Sequence, residues 1–395
     1  MNEIAHLFAN KEFQMLVSFF TSLFVSITAI PVIINISKLK DLMAEIGVRS
    51  SHEELTPTLG GVAIFAATLI AYFIWDNPNE GHEIHLTVAA LIILFFLGIK
   101  DDILILAPNK KLYIQVAASL LLISFGDLRI SNLYGLLGMH EINYISSVIF
   151  TTFIFISLTN AINLIDGIDG LAGSVGLLSS LIFTFLFFEL GLFAMATLSV
   201  ALAGALLGFL KFNYSEKNKI FMGDTGSLLV GFLLSFFSVK FVAFNSDFIY
   251  NPNLGNDSPI LVILILIIPL FDTLRVFLLR IFEGNSPFKG DRKHMHHILI
   301  DLKLSHGIAT LLLIIFNSLL LLLFFVFRFQ FANNVMLLGL FISFLIYCLA
   351  GYLLSKNIDY QKIDRVQYTK IDKLKRLQLV EEKKVSSRLK DPEVD

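Results

Sequence analysis

The chain has 395 residues, of which 56% are hydrophobic and only 16% are charged, with a net charge of −2 and a mean hydropathy of +0.76. Soluble domains average roughly 25% charged residues, so this composition excludes an ordinary soluble protein and predicts a polytopic membrane protein. Cys348 is the only cysteine, which excludes an intrachain disulfide and leaves a cysteine-based metal site without a second ligand.

Apolar runs follow one another along the chain, each close to the length that a helix needs to cross a bilayer. They do not alternate polar with apolar residues, which favours an all-α membrane protein over a β-barrel. The first run lacks a basic segment before it and a small-residue cleavage site, so we expect a retained helix. The eleven predicted spans are 15–37, 59–75, 86–99, 112–126, 145–160, 171–187, 193–210, 226–244, 259–279, 306–327 and 335–354.

Basic residues are distributed unevenly between the two sets of loops. With eleven spans the termini lie on opposite faces, and the face of the N-terminus offers only Lys11, Arg129, Lys240 and Arg328. The loops of the other face carry most of the remaining Lys and Arg, so the positive-inside tendency predicts a cytoplasmic C-terminus and an N-terminus outside. We expect one integral membrane domain over 1–354 and a charged, helical cytoplasmic tail over 355–395.

The loops on the outer face carry little chemistry. Residues 127–144, with Gly135 and Gly138 between short apolar pieces, predict a small hairpin, and 245–258 is a polar loop without a motif. No Rossmann fingerprint, P-loop, HExxH or GxSxG motif is present in the chain, which excludes the commonest soluble chemistries.

The most informative stretch runs from Asn160 to Gly170, between the fifth and sixth apolar runs. Asn160, Asn163, Asp166 and Asp169 follow at steps of three, and a glycine comes directly after each of the two acids. Glycine lets the backbone turn or approach a ligand closely. Carboxylate and amide oxygens gathered at a membrane edge indicate a hard cation and the phosphates that it bridges. A polar turn with Asx caps is the alternative interpretation.

Two further acidic stretches are predicted on the same cytoplasmic side. Asp101 and Asp102 end the third span, where one acid can serve as base or metal partner and the other as a positioning residue. An exposed helix-end pair is the alternative. Asp224 follows Gly223 at the start of the eighth span and can bind Mg²⁺ together with Asn163. For Asp224 the alternative is a helix cap.

The ninth span and the loop after it add a third polar region. Asp272 lies three residues before Arg275, so the two can form a structural ion pair or belong to a site. The spacing of His294, His296 and His297 is compatible with zinc. Cations directly before these histidines disfavour a second cation, so we interpret the loop as a grip for phosphate or sugar. An ordinary basic juxtamembrane loop is the alternative.

Together these motifs resemble the polyprenyl-phosphate N-acetylhexosamine-1-phosphate transferases, a family that includes WecA, TagO, MraY and the eukaryotic dolichol-linked enzyme. The resemblance extends from Thr56 to His297 and places the chain nearest the WecA and TagO form, since MraY has three consecutive histidines where this chain has His-Met-His-His. Leu55-Thr-Pro-Thr58 departs from the family pattern. The matching motifs are Asp101-Asp102, the Asn160–Gly170 stretch, Phe221-Met-Gly-Asp-Thr-Gly-Ser227 and Pro269-Leu-Phe-Asp-Thr273.

The resemblance implies transfer of a HexNAc-1-phosphate, most simply GlcNAc-1-phosphate, from the UDP-sugar to undecaprenyl phosphate with release of UMP. It implies Mg²⁺, with Mn²⁺ as the other candidate, held by Asp224 and Asn163. The implied catalytic residues are Asp101, Asp102, Asp166, His296 and His297. The implied substrate-binding residues are Asn160, Asp169, Phe221, Arg292 and His294, of which Asp169 and Phe221 would meet the uracil.

The implied location is a bacterial cytoplasmic membrane that the chain crosses several times, with the site facing the cytoplasm. We expect no nucleic-acid partner. The sequence is compatible with a homodimer and does not decide the oligomeric state. Without a Ser or Cys nucleophile constellation, we expect direct attack of the lipid phosphate, although an aspartate could act as nucleophile in a two-step route. The alternatives are an MraY-type transferase for phospho-MurNAc-pentapeptide and, in another class, a cation-coupled secondary transporter.

Overall fold

A computed structural model of the chain describes residues 10–40, 42, 56–75, 82–104, 106–244, 257–287, 292–356 and 358. The predicted tail over 355–395 and the polar loop over 245–258 lie almost entirely outside these residues. The helices are α1 Lys11–Leu39, α2 Gly60–Trp75, α3 His82–Leu104, α4 Pro108–Gly126, α5 Tyr144–Ile165, α6 Leu171–Glu189, α7 Phe193–Asn213, α8 Gly223–Phe244, α9 Ser258–Ile265, α10 Ile267–Phe282, α11 Met295–Asp301, α12 His306–Phe327 and α13 Asn333–Ser355.

The predicted all-α membrane architecture is confirmed. Among the described residues, eight helices are long and apolar enough to cross a membrane, and α9 with α10 make a ninth if the bent pair is one span. Nine of the eleven predicted runs each lie within one helix, and 59–75 begins one residue before α2, which has only 16 residues; α4 begins with a polar turn. The count of eleven spans and the orientation of the termini therefore stay predictions.

The centre of the bundle is formed by α7 and α8, whose side chains are almost all buried. Serines on α1 allow it to lie close against α7, because Ser22 and Ser26 donate hydrogen bonds to the carbonyls of Ala201 and Ala205 at 2.6 and 2.9 Å. Small and hydroxyl-bearing residues are typical of such close contacts between membrane helices. These contacts leave the lipid-facing sides of α1, α12 and α13 apolar and exposed.

The predicted hairpin over 127–144 is confirmed. Strands β1 Asn132–Leu136 and β2 Met139–Glu141 pair antiparallel, and Gly135 within β1 and Gly138 in the turn both have positive φ. The amide of Leu137 at the tip donates to Asn334 at the start of α13. The hairpin therefore closes the end of the bundle where α13 begins.

The span predicted over 259–279 is not one straight helix, because the chain bends by 79° between α9 and α10. Pro269 lacks the N–H that would bond to the carbonyl of Ile265 in a continuous helix. Ser179 donates to that carbonyl instead at 3.3 Å, and Asn317 of α12 donates to the carbonyl of Leu264 at 3.2 Å. Side chains thus satisfy the backbone groups that the break frees inside the membrane.

Two glycines differ sharply in the space around them, and this difference gives a prediction about stability. A methyl group at Gly98 of α3 would overlap the backbone of Thr225 in α8, whereas Gly339 of α13 has nothing within 4 Å. We expect Gly98→Ala to destabilise the protein by about 1–3 kcal/mol through overpacking. Gly339→Ala should be neutral or stabilising by about 1 kcal/mol from helix propensity. Thermal unfolding in detergent measures both, and equal melting temperatures would contradict the close packing of α3 on α8.

Candidate active site

Asp102 joins the end of α3 to the start of α8. Its Oδ1 accepts a hydrogen bond from the amide of Asp224 at 2.7 Å, and its Oδ2 accepts from the amide and hydroxyl of Thr225 at 3.1 and 2.6 Å. The first amides of a helix have no partner within the helix, and a carboxylate also suits the positive end of its dipole. Asp102 therefore has the contacts of a positioning residue.

Lys111, in the first turn of α4, links the other acids of this corner. Its ammonium group forms ion pairs with Asp101 and, at 2.9 Å, with Oδ2 of Asp224. The amide of Asn163 donates to Oδ1 of Asp224 at 2.5 Å and to the hydroxyl of Ser227 at 2.7 Å. The ends of α3, α4, α5 and α8 thus meet around Asp224.

Asp166, directly after α5, completes what we call the carboxylate cluster: Asp101, Asp102, Asp166 and Asp224. Burial raises the pKa of Asp166 well above its ordinary value, and the negative charges of Asp224, Asp102 and Asp169 raise it further. Within the described part of the chain, its carboxylate has no hydrogen-bond partner, although it is partly exposed. The cluster therefore holds more negative charge than Lys111 offsets.

This surplus of charge fits a hard divalent cation. Across the described ranges, no three His, Cys, Asp or Glu side chains form a group that could hold a metal ion by themselves. Mg²⁺ usually takes only one or two protein carboxylates and fills its remaining positions with water or phosphate oxygens. Asp224 and Asn163 are in contact through the Asn163 amide nitrogen, and a 180° rotation of that amide would bring two ligand oxygens together in such a partly open site.

Asn160, predicted to bind substrate, lies between two helices. Its amide nitrogen donates to the side chain of Gln115 and to the carbonyl of Ile156, both at 2.8 Å. Gln115 is buried in α4. The contacts of Asn160 therefore tie α5 to α4, and they place Asn163 one turn further along α5.

A second polar group surrounds Asp169, beside the carboxylate cluster. Oδ2 of Asp169 lies 2.6 Å from the ammonium of Lys219 and 2.7 Å from Nδ1 of His306. The ring of Phe221 lies 5.6 Å from that ammonium. We call these four residues the Asp169 group. It brings both residues predicted to meet the nucleobase, Asp169 and Phe221, to one place.

The histidines form a third group, held by Asp272 of α10. Asp272 accepts hydrogen bonds from Nδ1 of His294 at 2.8 Å and from the amide of Met295 at 2.7 Å, so it orients His294 and caps α11. The ion pair with Arg275 does not form, because Arg275 donates to the carbonyl of Lys293 instead. Asp272 and Arg275 therefore fix the same loop from two sides.

His296 and His297 are buried beside these contacts. The rings of His296 and His297 lie 4.3 Å apart between centroids, and both nitrogens of His296 lack hydrogen-bond partners. A methyl group at Gly167 would lie 2.5 Å from Nε2 of His296, so the histidine group packs directly on the loop after α5. Arg292 pairs with Asp301 at 2.7 Å. The three groups consequently meet at the 166–170 loop.

Sequence reasoning did not select four of the residues that complete the site: Lys111, Gln115, Lys219 and His306. Lys111 and Lys219 counted only toward the charge of their loops, and Gln115 and His306 belong to no motif. Lys111 lies 10 residues after Asp101, and Lys219 lies two residues before Phe221. Closeness to a motif was therefore the signal that could have identified these two lysines as site residues. Gln115 and His306 offered no comparable signal.

The fold and the site define a polytopic membrane protein with a carboxylate-rich centre at the ends of several helices. A family model described as glycosyl transferase family 4 matches residues 84–242. The decaprenyl-phosphate N-acetylglucosaminephosphotransferase of Mycolicibacterium smegmatis is 31% identical over 288 residues, which cover 67% of this chain and 70% of that protein. The chain therefore belongs to glycosyl transferase family 4.

Two other relatives match over longer regions. The undecaprenyl-phosphate alpha-N-acetylglucosaminyl 1-phosphate transferase of Haemophilus influenzae is 29% identical, with 76% of this chain and 83% of that protein covered. A probable undecaprenyl-phosphate N-acetylglucosaminyl 1-phosphate transferase of Bacillus subtilis is 28% identical, with 76% and 81% covered. The family resemblance inferred from the motifs is thereby confirmed.

The burial of His296 predicts acid sensitivity. Burial lowers the pKa of His296 to about 3, with Asp272 opposing the shift and the neighbouring positive groups adding to it. The unfolded chain takes up this proton near pH 6.5 and the folded chain only near pH 3, so stability is lost as the pH falls below about 6.5. We expect His296→Gln to reduce the loss between pH 7.5 and pH 5.5 by on the order of 1 kcal/mol.

Melting temperatures at the two pH values measure this effect. The matched control is His140→Gln, because His140 is exposed on the hairpin and should leave the difference between the two pH values unchanged. An equal pH dependence in wild type and His296→Gln would show that His296 does not contribute.

Proposed function

We propose that the protein transfers GlcNAc-1-phosphate from UDP-GlcNAc to undecaprenyl phosphate and releases UMP, in a reaction that depends on Mg²⁺. The relatives are named for GlcNAc phosphate transfer and for undecaprenyl or decaprenyl phosphate. The observation that carries the proposal is the carboxylate cluster, in which Lys111 links Asp101 and Asp224 from distant parts of the chain. Two anionic reactants can approach each other only where cations and oriented donors offset their repulsion.

Asp224 and Asn163 would hold Mg²⁺ or Mn²⁺. The bound cation would offset phosphate charge and polarise phosphoryl oxygens. Lys111 adds a second positive charge in contact with Asp224. Asp102 fixes the position of Asp224 by accepting a hydrogen bond from its amide at the start of α8. We therefore assign Asp102 the role of a positioning residue and not of a proton-transfer group.

The proposed reaction requires little proton transfer. A phosphate monoester has a second pKa near 6, so the lipid phosphate is largely ionised at neutral pH. Asp166, whose carboxylate has no partner in the described residues, is best placed to exchange the remaining proton. Positioning and charge stabilisation then account for most of the rate acceleration, as expected for phosphoryl transfer.

The histidine group suits the sugar phosphate. His296 lies on Gly167, next to Asp166, with His297 beside it, and burial lowers the pKa of His296 so that its ring is neutral at pH 7. A neutral imidazole both donates and accepts hydrogen bonds, as sugar hydroxyls require. We assign His296 and His297 to the sugar phosphate, with Arg292 and His294 as supports of the loop.

The orientation of the site is also part of the proposal. The polar ends of α3 and α5 meet on one side of the bundle, and the adjacent loops carry most of the basic residues outside the tail. A cytoplasmic site in a bacterial inner membrane would reach a soluble UDP-sugar and, at headgroup level, the lipid phosphate. This arrangement explains why the site consists of helix ends.

A transporter is the second candidate, favoured by one observation. Secondary transporters build binding sites from broken helices near the midplane, and α9 with α10 form such a broken pair. Here, however, the freed carbonyls bond to Ser179 and Asn317, and the acids cluster at helix ends. Cation-driven flux in liposomes without UMP release would favour transport.

The test of the proposed function is UMP release by purified protein supplied with UDP-GlcNAc, undecaprenyl phosphate and Mg²⁺. We expect Asp224→Asn to lower turnover at least a hundredfold without unfolding the protein, because it removes the charge that would hold the metal. Asp127→Asn, an exposed acid next to the hairpin, is the control and should keep full activity. Chelation should stop the reaction, and replacement of UDP-GlcNAc by UDP-GalNAc or UDP-MurNAc-pentapeptide identifies the sugar.

The order of bond making gives a separate prediction. In direct displacement the lipid phosphate attacks the β-phosphorus of UDP-GlcNAc, the bond to the UMP oxygen breaks, and no covalent enzyme forms. With labelled UDP-GlcNAc and no lipid, we therefore expect no phosphosugar on the protein by intact-mass measurement. A GlcNAc-phosphate adduct on Asp101 or Asp102, with stoichiometric UMP release, would instead establish a two-step route.

A further inference from the structure

The Asp169 group presents an acceptor and a donor side by side. Oδ2 of Asp169 lies 2.6 Å from the Lys219 ammonium, and the Phe221 ring lies 5.6 Å from the same ammonium. The side chain of Lys219 is 29% exposed, so Lys219 is not closed off from solvent. An aromatic face next to hydrogen-bonding groups is the usual arrangement for holding a nucleobase.

We propose that Lys219 and His306 make this group selective for uracil, with Lys219 as a specificity-determining donor and His306 as a positioning residue for Asp169. The inference rests on the proposed function, which supplies a uridine nucleotide as substrate. It adds two residues that belong to no motif of the sequence.

Hydrogen-bond complementarity explains the selectivity. Uracil carries an N–H at position 3 beside a carbonyl at position 4, so it offers a donor to Asp169 and an acceptor to Lys219. Cytosine has an unprotonated ring nitrogen and an amino group at these positions, which would place acceptor against acceptor and donor against donor. Sites built on hydrogen bonds reject such mismatches strongly, because buried polar groups are left unpaired.

The contacts of Asp169 support its role as an acceptor. Two positively polarised groups, from Lys219 and His306, share Oδ2. A ligand N–H would share the carboxylate with these two donors. Asp169 itself is 8% exposed, which limits competition from water.

His306 holds Asp169 in place together with the first turns of α12. Nδ1 of His306 lies 2.7 Å from Oδ2 of Asp169 and 3.2 Å from the backbone amide nitrogen of the same residue. One turn further, the hydroxyl of Thr310 donates to the backbone carbonyl of Asp169 at 3.3 Å. His306 and Thr310, which follow Asp169 by 137 and 141 positions in the chain, therefore fix its side chain and its backbone.

The backbone next to Asp169 is equally constrained. The amide of Gly170 donates to Asn213 at 2.6 Å, and Gly170 has a φ of +82°. A side chain there would overlap the ring of Tyr214. Because the loop is fixed independently of the carboxylate cluster, loss of Lys219 or His306 should change nucleotide recognition without dismantling the proposed metal site.

Equilibrium binding of UMP and CMP to the full-length protein tests the inference. We expect the wild type to prefer UMP, and Lys219→Met to weaken UMP binding about tenfold to a hundredfold while leaving CMP binding nearly unchanged, so that the preference collapses. Lys211→Met is the matched control, since Lys211 is an exposed lysine at the end of α7. His306→Leu should weaken UMP binding severalfold, and His306→Asn should restore much of it, because its amide can donate to Asp169.

Turnover measurements separate this inference from the proposed function. In the transfer assay, Lys219→Met should raise KM for UDP-GlcNAc and leave kcat within a few-fold. An unchanged ratio of UMP to CMP affinity in Lys219→Met, with transfer activity intact in the wild type, would overturn the inference and keep the function. Selective UMP binding that depends on Lys219, without any transfer, would support the inference and refute the function.

Discussion

The geometry of the site depends on the hydrogen bonds that Asp102 accepts from the first residues of α8. At the edge of a membrane the free amides at a helix start have few other partners, so a carboxylate from α3 satisfies them at once. Gly223 is required beside it, because its φ is +70° and a side chain would lie 2.8 Å from the Asp102 oxygens. The side chain of Asp224 consequently lies against Lys111 and Asn163.

This orientation of the Asp224 side chain concentrates negative charge in a buried part of the protein. Asp101 is 3% exposed and pairs with Lys111, and Asp224 meets both Lys111 and Asn163, so these two acids have specific partners. Removing one partner from such a group leaves a buried charge uncompensated, which costs more than an intact pair contributes. A bound cation would offset the negative charge that these contacts leave.

The motif residues could be found from the sequence because glycines and acids are rare inside apolar runs. Asp102, Asn163 and Asp224 come together as the motifs indicate. Their partners could not be found in the same way, since Lys111 and Lys219 look like ordinary basic loop residues. The break before α10 was missed for another reason: Pro269 gave a signal, but the side chains that satisfy the freed carbonyls come from α6 and α12.

The same break connects the fold to the histidines. Because α10 leaves α9 at 79°, Asp272 faces the loop before α11 and accepts hydrogen bonds from His294 and Met295. Those contacts place His296 directly against Gly167. A side chain at position 167 would require His296 to move. Gly167 separates Asp166 of the carboxylate cluster from the loop that carries Asp169. A bend in one helix thus affects how the carboxylate cluster, the histidine group and the Asp169 group come together, so changes at Pro269 would reach all three groups.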